Sequence, residues 1–170
     1  MPNRRRLLVS LLAFVAIVAG TPRGTGETAQ ATALGHPKPG HRPPRRVKPK
    51  PSLGQRVAKI ALREVGVPYR WGGESPLGFD CSGLVRWSYL RIGIDLPHSS
   101  YALSVVGRRV SPGDMKPGDV LLFDGLGHVG LYIGRGLMVH APYSGRDVEV
   151  VPLAGWYGSR FEGARRVVPA

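Results

Sequence analysis

The 170-residue chain has a single cysteine, Cys81, set between an aspartate and a serine in the stretch GFDCSGLVRW. A lone thiol cannot close an internal disulfide, so it is a small buried hydrophobe, a link to another chain, or a reactive group. Asp80–Cys81–Ser82–Gly83 reads as the opening of a helix. Unpaired backbone N–H groups and the positive end of the helix dipole would then face the sulfur, stabilising thiolate and lowering the thiol pKa. The same N–H groups could receive the oxyanion of an attacked carbonyl. A purely structural cysteine would more naturally sit mid-helix on an apolar face.

A nucleophilic thiol needs a base, and a histidine distant in sequence but close in space is the usual partner. His128 opens HVGLYIG and His140 closes LMVH, with a GRG turn between the two segments. Directly opposed residues of an antiparallel pair share a face. Pairing Gly130 with His140 therefore puts both histidines on one face and sends Val129, Leu131, Ile133 and Val139 to the other. A slip of one residue would separate the histidines and mix the apolar set. The hydrophobic pattern thus selects the register that unites them. One histidine can act as general base while the second orients it and fixes its tautomer. Two ordinary half-buried histidines are the alternative reading of the pair alone. His36 and His41 lie in the basic tail and are poor candidates. One cysteine excludes metal sites built on paired cysteines, and no two histidines of the folded region stand at short ligand spacing. No metal and no organic cofactor is expected.

These groups need a scaffold. LGQRVAKIALREVG carries Leu53, Val57, Ile60 and Ala61 at helical spacing and ends at Gly66 and Pro68. PYRWGGESPLGFD, rich in Gly and Pro, reads as loop. CSGLVRWSYLRIG reads as a second helix offering Leu84, Val85, Tyr89 and Ile92 to a core, and SSYALSVVG as a short third. After Pro112 the pattern turns to strands: DVLLFD, HVGLYIG, LMVHAP, DVEVVPL and ARRVV, separated by glycine turns. Helices first and a strand meander afterwards imply an α+β fold, with N-terminal helices packed on a central antiparallel sheet.

The chain divides by composition. MPNRRR followed by the uncharged run LLVSLLAFVAIVAG predicts a signal peptide over residues 1–20; at 14 residues the run is short for a membrane span, although an uncleaved anchor is the alternative. Residues 21–52 hold seven Lys/Arg against one Glu and seven of the sixteen prolines, a composition that cannot bury a core and predicts a disordered basic linker. It serves as a passive spacer or adheres to anionic wall polymers or lipid headgroups. Residues 53–170 hold fourteen Lys/Arg against ten acids and form the domain. Export makes nucleic acid a poor partner, and nothing in the sequence demands more than a monomer.

PYRWGG, GFDCSGL, LPHSS, KPGDVLLF, HVGLYIG and VHAP, in this order, resemble the NlpC-type cell-wall cysteine peptidase family over residues 53 to 153. The resemblance implies a papain-like fold and hydrolysis of peptide bonds in peptidoglycan stem peptides, often between D-glutamate and the diamino acid. It matches Cys81 to the nucleophile, His128 to the base and His140 to the polar residue that orients it. Tyr69 matches a tyrosine beside the nucleophile that helps hold oxyanion or substrate. Asp80 and Ser82 match positions that grip the stem peptide, a carboxylate there pairing with a free amino terminus. An N-cap of the Cys81 helix is an equal reading for Asp80. Trp71, Gly72 and Gly73 would shape the groove wall, and Asp119 would cap a turn. Two positions depart from the pattern: His98 stands where the family often has arginine, and Leu103 where it has a Gln-like residue. The expected protein is a secreted, cell-wall-associated endopeptidase, membrane-anchored if the signal is not cleaved. The alternatives are a non-catalytic wall-binding or regulatory module on the same fold, and an amidase or acyltransferase acting on another substrate.

Overall fold

The computed structural model describes residues 49–169. The signal peptide expected over 1–20 and nearly all of the linker expected over 21–52 lie outside the described residues.

Helix α1 (Leu53–Leu62) starts at Ser52 in a capping box: Ser52 Oγ accepts from the Gln55 N–H and Gln55 Oε1 accepts from the Ser52 N–H. Its buried stripe is Gly54, Val57, Ala58 and Ala61, whereas Leu53, expected to face the core, is exposed. The shift has a steric cause. Gly54 lies against the turn before the fourth strand, where a Cβ would stand 2.2 Å from the Pro117 carbonyl oxygen; a Cβ on Gly118 would meet Gly54 Cα at 2.5 Å. Two glycines thus let helix and turn touch by their backbones.

The segment expected to be loop contains a small hairpin of β1 (Glu74–Ser75) and β2 (Gly78–Phe79). Helix α2 (Cys81–Leu90) and the short α3 (Ser100–Leu103) follow as expected. An unanticipated edge strand, β3 (Arg108–Val110), comes next. Then come β4 (Val120–Phe123), β5 (His128–Gly134), β6 (Leu137–His140), β7 (Glu149–Pro152) and β8 (Phe161–Arg166). Six strands make one antiparallel sheet in the order β3-β8-β4-β5-β6-β7, so the last strand inserts between the third and fourth.

One sheet face, through Val120, Leu122, Val129, Leu131 and Val139, packs on Val57, Ala61, Leu84, Val85 and Tyr89 of the helices. The other, through Leu121, Phe123, Met138 and Ala164, is covered by Leu153, Tyr157 and Met115. Asp119 caps its turn by accepting from the Lys116 N–H at 2.8 Å, as expected, and also pairs with buried Arg166 through two bonds of 2.7 and 2.6 Å. Arg166 further donates to the Asp114 carbonyl at 2.8 Å. Tyr89 donates to the Gly118 carbonyl at 2.7 Å, which ties α2 to the same turn.

Candidate active site

Helix α2 begins at Cys81, and Asp80 is its N-cap, accepting from the Gly83 N–H at 2.7 Å. The Asp80 carboxylate also takes the Ser82 hydroxyl at 3.1 Å, the Gly72 N–H at 2.9 Å, and His98 Nε2 at 2.9 and 3.0 Å from its two oxygens. A carboxylate offers about four lone-pair sites, and these four groups fill them. The cap reading of Asp80 therefore holds. A substrate amine would have to displace one of these donors, and buried Ser82 spends its hydroxyl on Asp80 in the same way. Gly83 completes the junction: a Cβ there would lie 2.0 Å from the Gly73 carbonyl oxygen and 3.0 Å from His98 Nε2. Only glycine lets the first turn of α2 press on the 72–73 segment, where Gly73 O accepts from the Asp80 N–H at 2.9 Å.

The thiol lies against the N–H groups of Val129, Ser82 and Cys81 itself. Val129 immediately follows His128, so the start of α2 meets the start of β5. The register of β5 and β6 pairs Leu131 with Val139 and Tyr132 with Met138, which extends to Gly130 opposite His140. This is the register selected by the hydrophobic pattern. His128 Nε2 and His140 Nδ1 stand 2.8 Å apart. His140 is fully buried; its Nε2 lies 3.4 Å from the Tyr157 hydroxyl and 3.7 Å from Glu149, its cross-strand neighbour on β7. With Nε2 engaged, Nδ1 is the ring nitrogen of His128 left for chemistry.

Burial sets the electrostatics. Desolvation lowers His128 to about 4, with Asp124 pulling the other way, and lowers His140 to about 3, helped by the charges of His128 and Arg146. Both rings are neutral near pH 7. Burial also pushes the Cys81 thiol above its ordinary value, and the negative charge of Asp80 adds to the rise. The amides of Val129, Ser82 and Cys81 pull back without reversing it. The expectation of a depressed thiol pKa is thus corrected: the helix start supplies donors, but desolvation of the sulfur outweighs them. Tyr69 sits close enough to Cys81 and Asp80 that, after desolvation, their charges raise its phenol. Of the expected groove wall, Trp71 is 86% exposed and Gly72 contributes its N–H to Asp80.

The structure therefore gathers Tyr69, Asp80, Cys81 and Ser82 at one end of α2 and couples His128 to His140 across the β5–β6 pair. Sequence reasoning missed His98 as a partner of Asp80, and Glu149 and Tyr157 behind His140. Alternation in DVEVVPL could have placed Glu149 in register with His140; no pattern marks Tyr157, which arrives from a turn.

The NlpC/P60 family model matches residues 66–166. A probable endopeptidase of Mycobacterium tuberculosis is 52% identical over 110 residues, covering 63% of this chain and 29% of its own length. A probable endopeptidase of Corynebacterium glutamicum is 36% identical over 117 residues, covering 65% of this chain and 56% of the relative. This chain thus spans between about a third and about half of these relatives. Among solved structures, an NlpC/P60 family protein of Bacillus cereus superposes with a TM-score of 0.67 at 35% identity, over 71% of this chain and 42% of that one. The peptidoglycan hydrolase RipB of Mycobacterium tuberculosis gives 0.62 at 31%, over 69% and 66%. Helices on an antiparallel sheet are here the papain-like arrangement of these neighbours. With a match over more than half of its length, this chain belongs to the NlpC/P60 family.

Proposed function

We propose that this protein is a cysteine peptidase that hydrolyses peptide bonds in peptidoglycan stem peptides, the bond between D-glutamate and the diamino acid being the expected target. The observation that carries the reading is the His128–His140 contact of 2.8 Å at the strand end where the Val129 amide meets the Cys81 thiol. The endopeptidase and peptidoglycan-hydrolase names of the relatives point the same way.

A half-buried thiol with a raised pKa and a neutral imidazole favour a resting pair without charge separation. Glu149 and the Tyr157 hydroxyl lie on the side of His140 Nε2–H; His140 Nδ1 accepts from His128 Nε2–H; His128 Nδ1 keeps its lone pair. As sulfur attacks the carbonyl carbon, its proton passes to Nδ1. The oxyanion forms beside the amides of Cys81 and Ser82, with the Tyr69 hydroxyl at its flank. His128 then protonates the leaving amine, a thioester remains on Cys81, and water activated by the same nitrogen releases the acid. Asp80 and Ser82 hold the helix start that carries this geometry, and the negative charge of Asp80 favours a substrate amino terminus nearby. Export through residues 1–20, action at the cell wall, and adhesion or spacing through 21–52 complete the proposal.

Digestion of purified peptidoglycan by wild type and Cys81→Ala, with fragments identified by mass, tests it. New amino and carboxyl ends from wild type alone are expected. Equal release by the two proteins would sink the reading, and ends formed elsewhere than after D-glutamate would redirect the bond assignment.

A further inference from the structure

A cavity of about 770 Å³ opens on the helix-bearing face of the sheet, lined among others by Val105, Arg109, Leu122, Leu126, Gly163 and Arg165. Its volume lies in the range of small-ligand sites. None of Cys81, His128 and His140 lines it, and both histidines lie on the other sheet face; its link to the site runs through Leu122, the cross-strand partner of Val129, whose amide meets the thiol. Space exists there because β8 offers Gly163, not a side chain, opposite Leu122.

Arg109 and Arg165 are directly opposed on β3 and β8. Like charges in that relation repel, and their Cβ atoms stand about 5 Å apart. Arg86, Arg146, Arg160 and Arg166 each have a carboxylate partner, whereas neither Arg109 nor Arg165 forms an ion pair among the described residues. The contrast is sharpest between neighbours. Arg166, on the opposite face, is locked to Asp119, while Arg165 turns to the cavity with no counter-charge of its own. The lining includes one acid, Glu162, which accepts the Gly125 N–H at 3.2 Å and leaves the cavity net positive.

We propose that Arg109 and Arg165 form a carboxylate-binding subsite of the peptidase, taking an acidic group of the stem peptide away from the scissile bond. Two arginines that line one cavity from directly opposed strand positions can offer donors to the two oxygens of one carboxylate. Strand β8 is two strands from β5, about 10 Å, which an extended peptide covers in roughly three residues. The subsite thus reads substrate charge at a distance from the thiol and favours the free acid over its amide. The assignment rests on the stem-peptide reading above.

Synthetic stem peptides made in pairs, free acid or primary amide at each acidic position in turn, test it. Wild type should cleave the acid about 10-fold better in kcat/KM at one position, mostly through KM. In Arg109→Gln/Arg165→Gln this ratio should fall toward one. Arg108→Gln, which removes one charge on the opposite face of β3, should keep it. A ratio near one in wild type, or an unchanged ratio in the double variant, overturns the subsite. If wild type cleaves no peptide, the peptidase reading fails instead. Calorimetric binding of the paired peptides to Cys81→Ala then judges the subsite alone, and equal affinity for acid and amide overturns it.

Discussion

Two histidine clusters flank the start of α2, and they are built in opposite ways. On the helix side His98 lies between carboxylates, 2.9 Å from Asp80 and 3.4 Å from Glu74, with 24% of its side chain exposed. On the sheet side His140 is fully buried, its Nδ1 partner is another histidine, and the nearest carboxylate stays 3.7 Å away. The first cluster uses charge and hydrogen bonds to fix a helix terminus. The second uses desolvation to keep two imidazoles neutral, the state in which the proposed mechanism needs one to accept a proton. Residue type does not set the role; burial and the neighbour's charge do. The two clusters should therefore fail differently when damaged.

The largest effect is expected at His128, the proposed base. His128→Ala should lower kcat about 10³-fold while KM stays of wild-type order. A residual rate within tenfold of wild type would remove His128 from proton transfer. His140→Gln comes next. The amide can accept from His128 but holds the ring less well in a pocket shaped for imidazole, so kcat should fall about 100-fold by analogy with other orienting residues. A change confined to KM would show that His140 does not act through His128.

Much of this contrast is legible in the sequence, and what is not has physical reasons. Asp80 and Cys81 mark a helix start because capping is local. The His128–His140 pairing is legible because alternation in HVGLYIG and LMVH leaves one register that keeps the apolar set together. Strand β3 is not legible, since Arg-Arg-Val owes its extended form to pairing with β8 more than fifty residues later. In the sequence His98 stands out only as a departure from arginine; its hold on Asp80 depends on how the 98–99 segment packs on α2. The direction of the thiol shift is not legible for a related reason. Helix position can be read from the chain, but burial of the sulfur is a product of the whole fold.

Acid should next separate the clusters. The unfolded chain protonates His128 near its ordinary value of 6.5, while the folded chain resists until about 4. Between those values the unfolded state binds more protons, so stability falls as pH drops through that window and levels off below it. The loss from His128 is up to about 3 kcal/mol. His140, lowered to about 3, adds in the same direction. Calorimetry from pH 7 to 4.5 should show a falling Tm, with a shallower fall in His140→Gln. Equal slopes for the two proteins would mean that these rings are not buried neutral. Cys81 acts at the other end: its raised thiol stabilises the fold below the ordinary thiol pKa, and this contribution is lost as pH rises through the folded value.

The smallest effect, and the sharpest use of the contrast, comes from making at His98 the exchange already made at His140. His98→Gln keeps one donor for Asp80 but gives up the contact of Nε2 with both carboxylate oxygens and the approach of Nδ1 to Glu74. Asp80 still caps α2 through Gly83 and still holds Gly72 and Ser82. The expected loss is therefore about 1 kcal/mol of stability, read as a lower Tm, with kcat within a few-fold of wild type. His98→Arg should restore the Tm, because a guanidinium fork can span the oxygens of Asp80 and still reach Glu74. Arg86 already occupies the other side of Glu74, so the added charge meets a carboxylate that is partly neutralised and the restoration stops short of a gain. A kcat loss at His98→Gln as large as that at His140→Gln, unrelieved in His98→Arg, would place His98 in the proton path and erase the division between the two clusters.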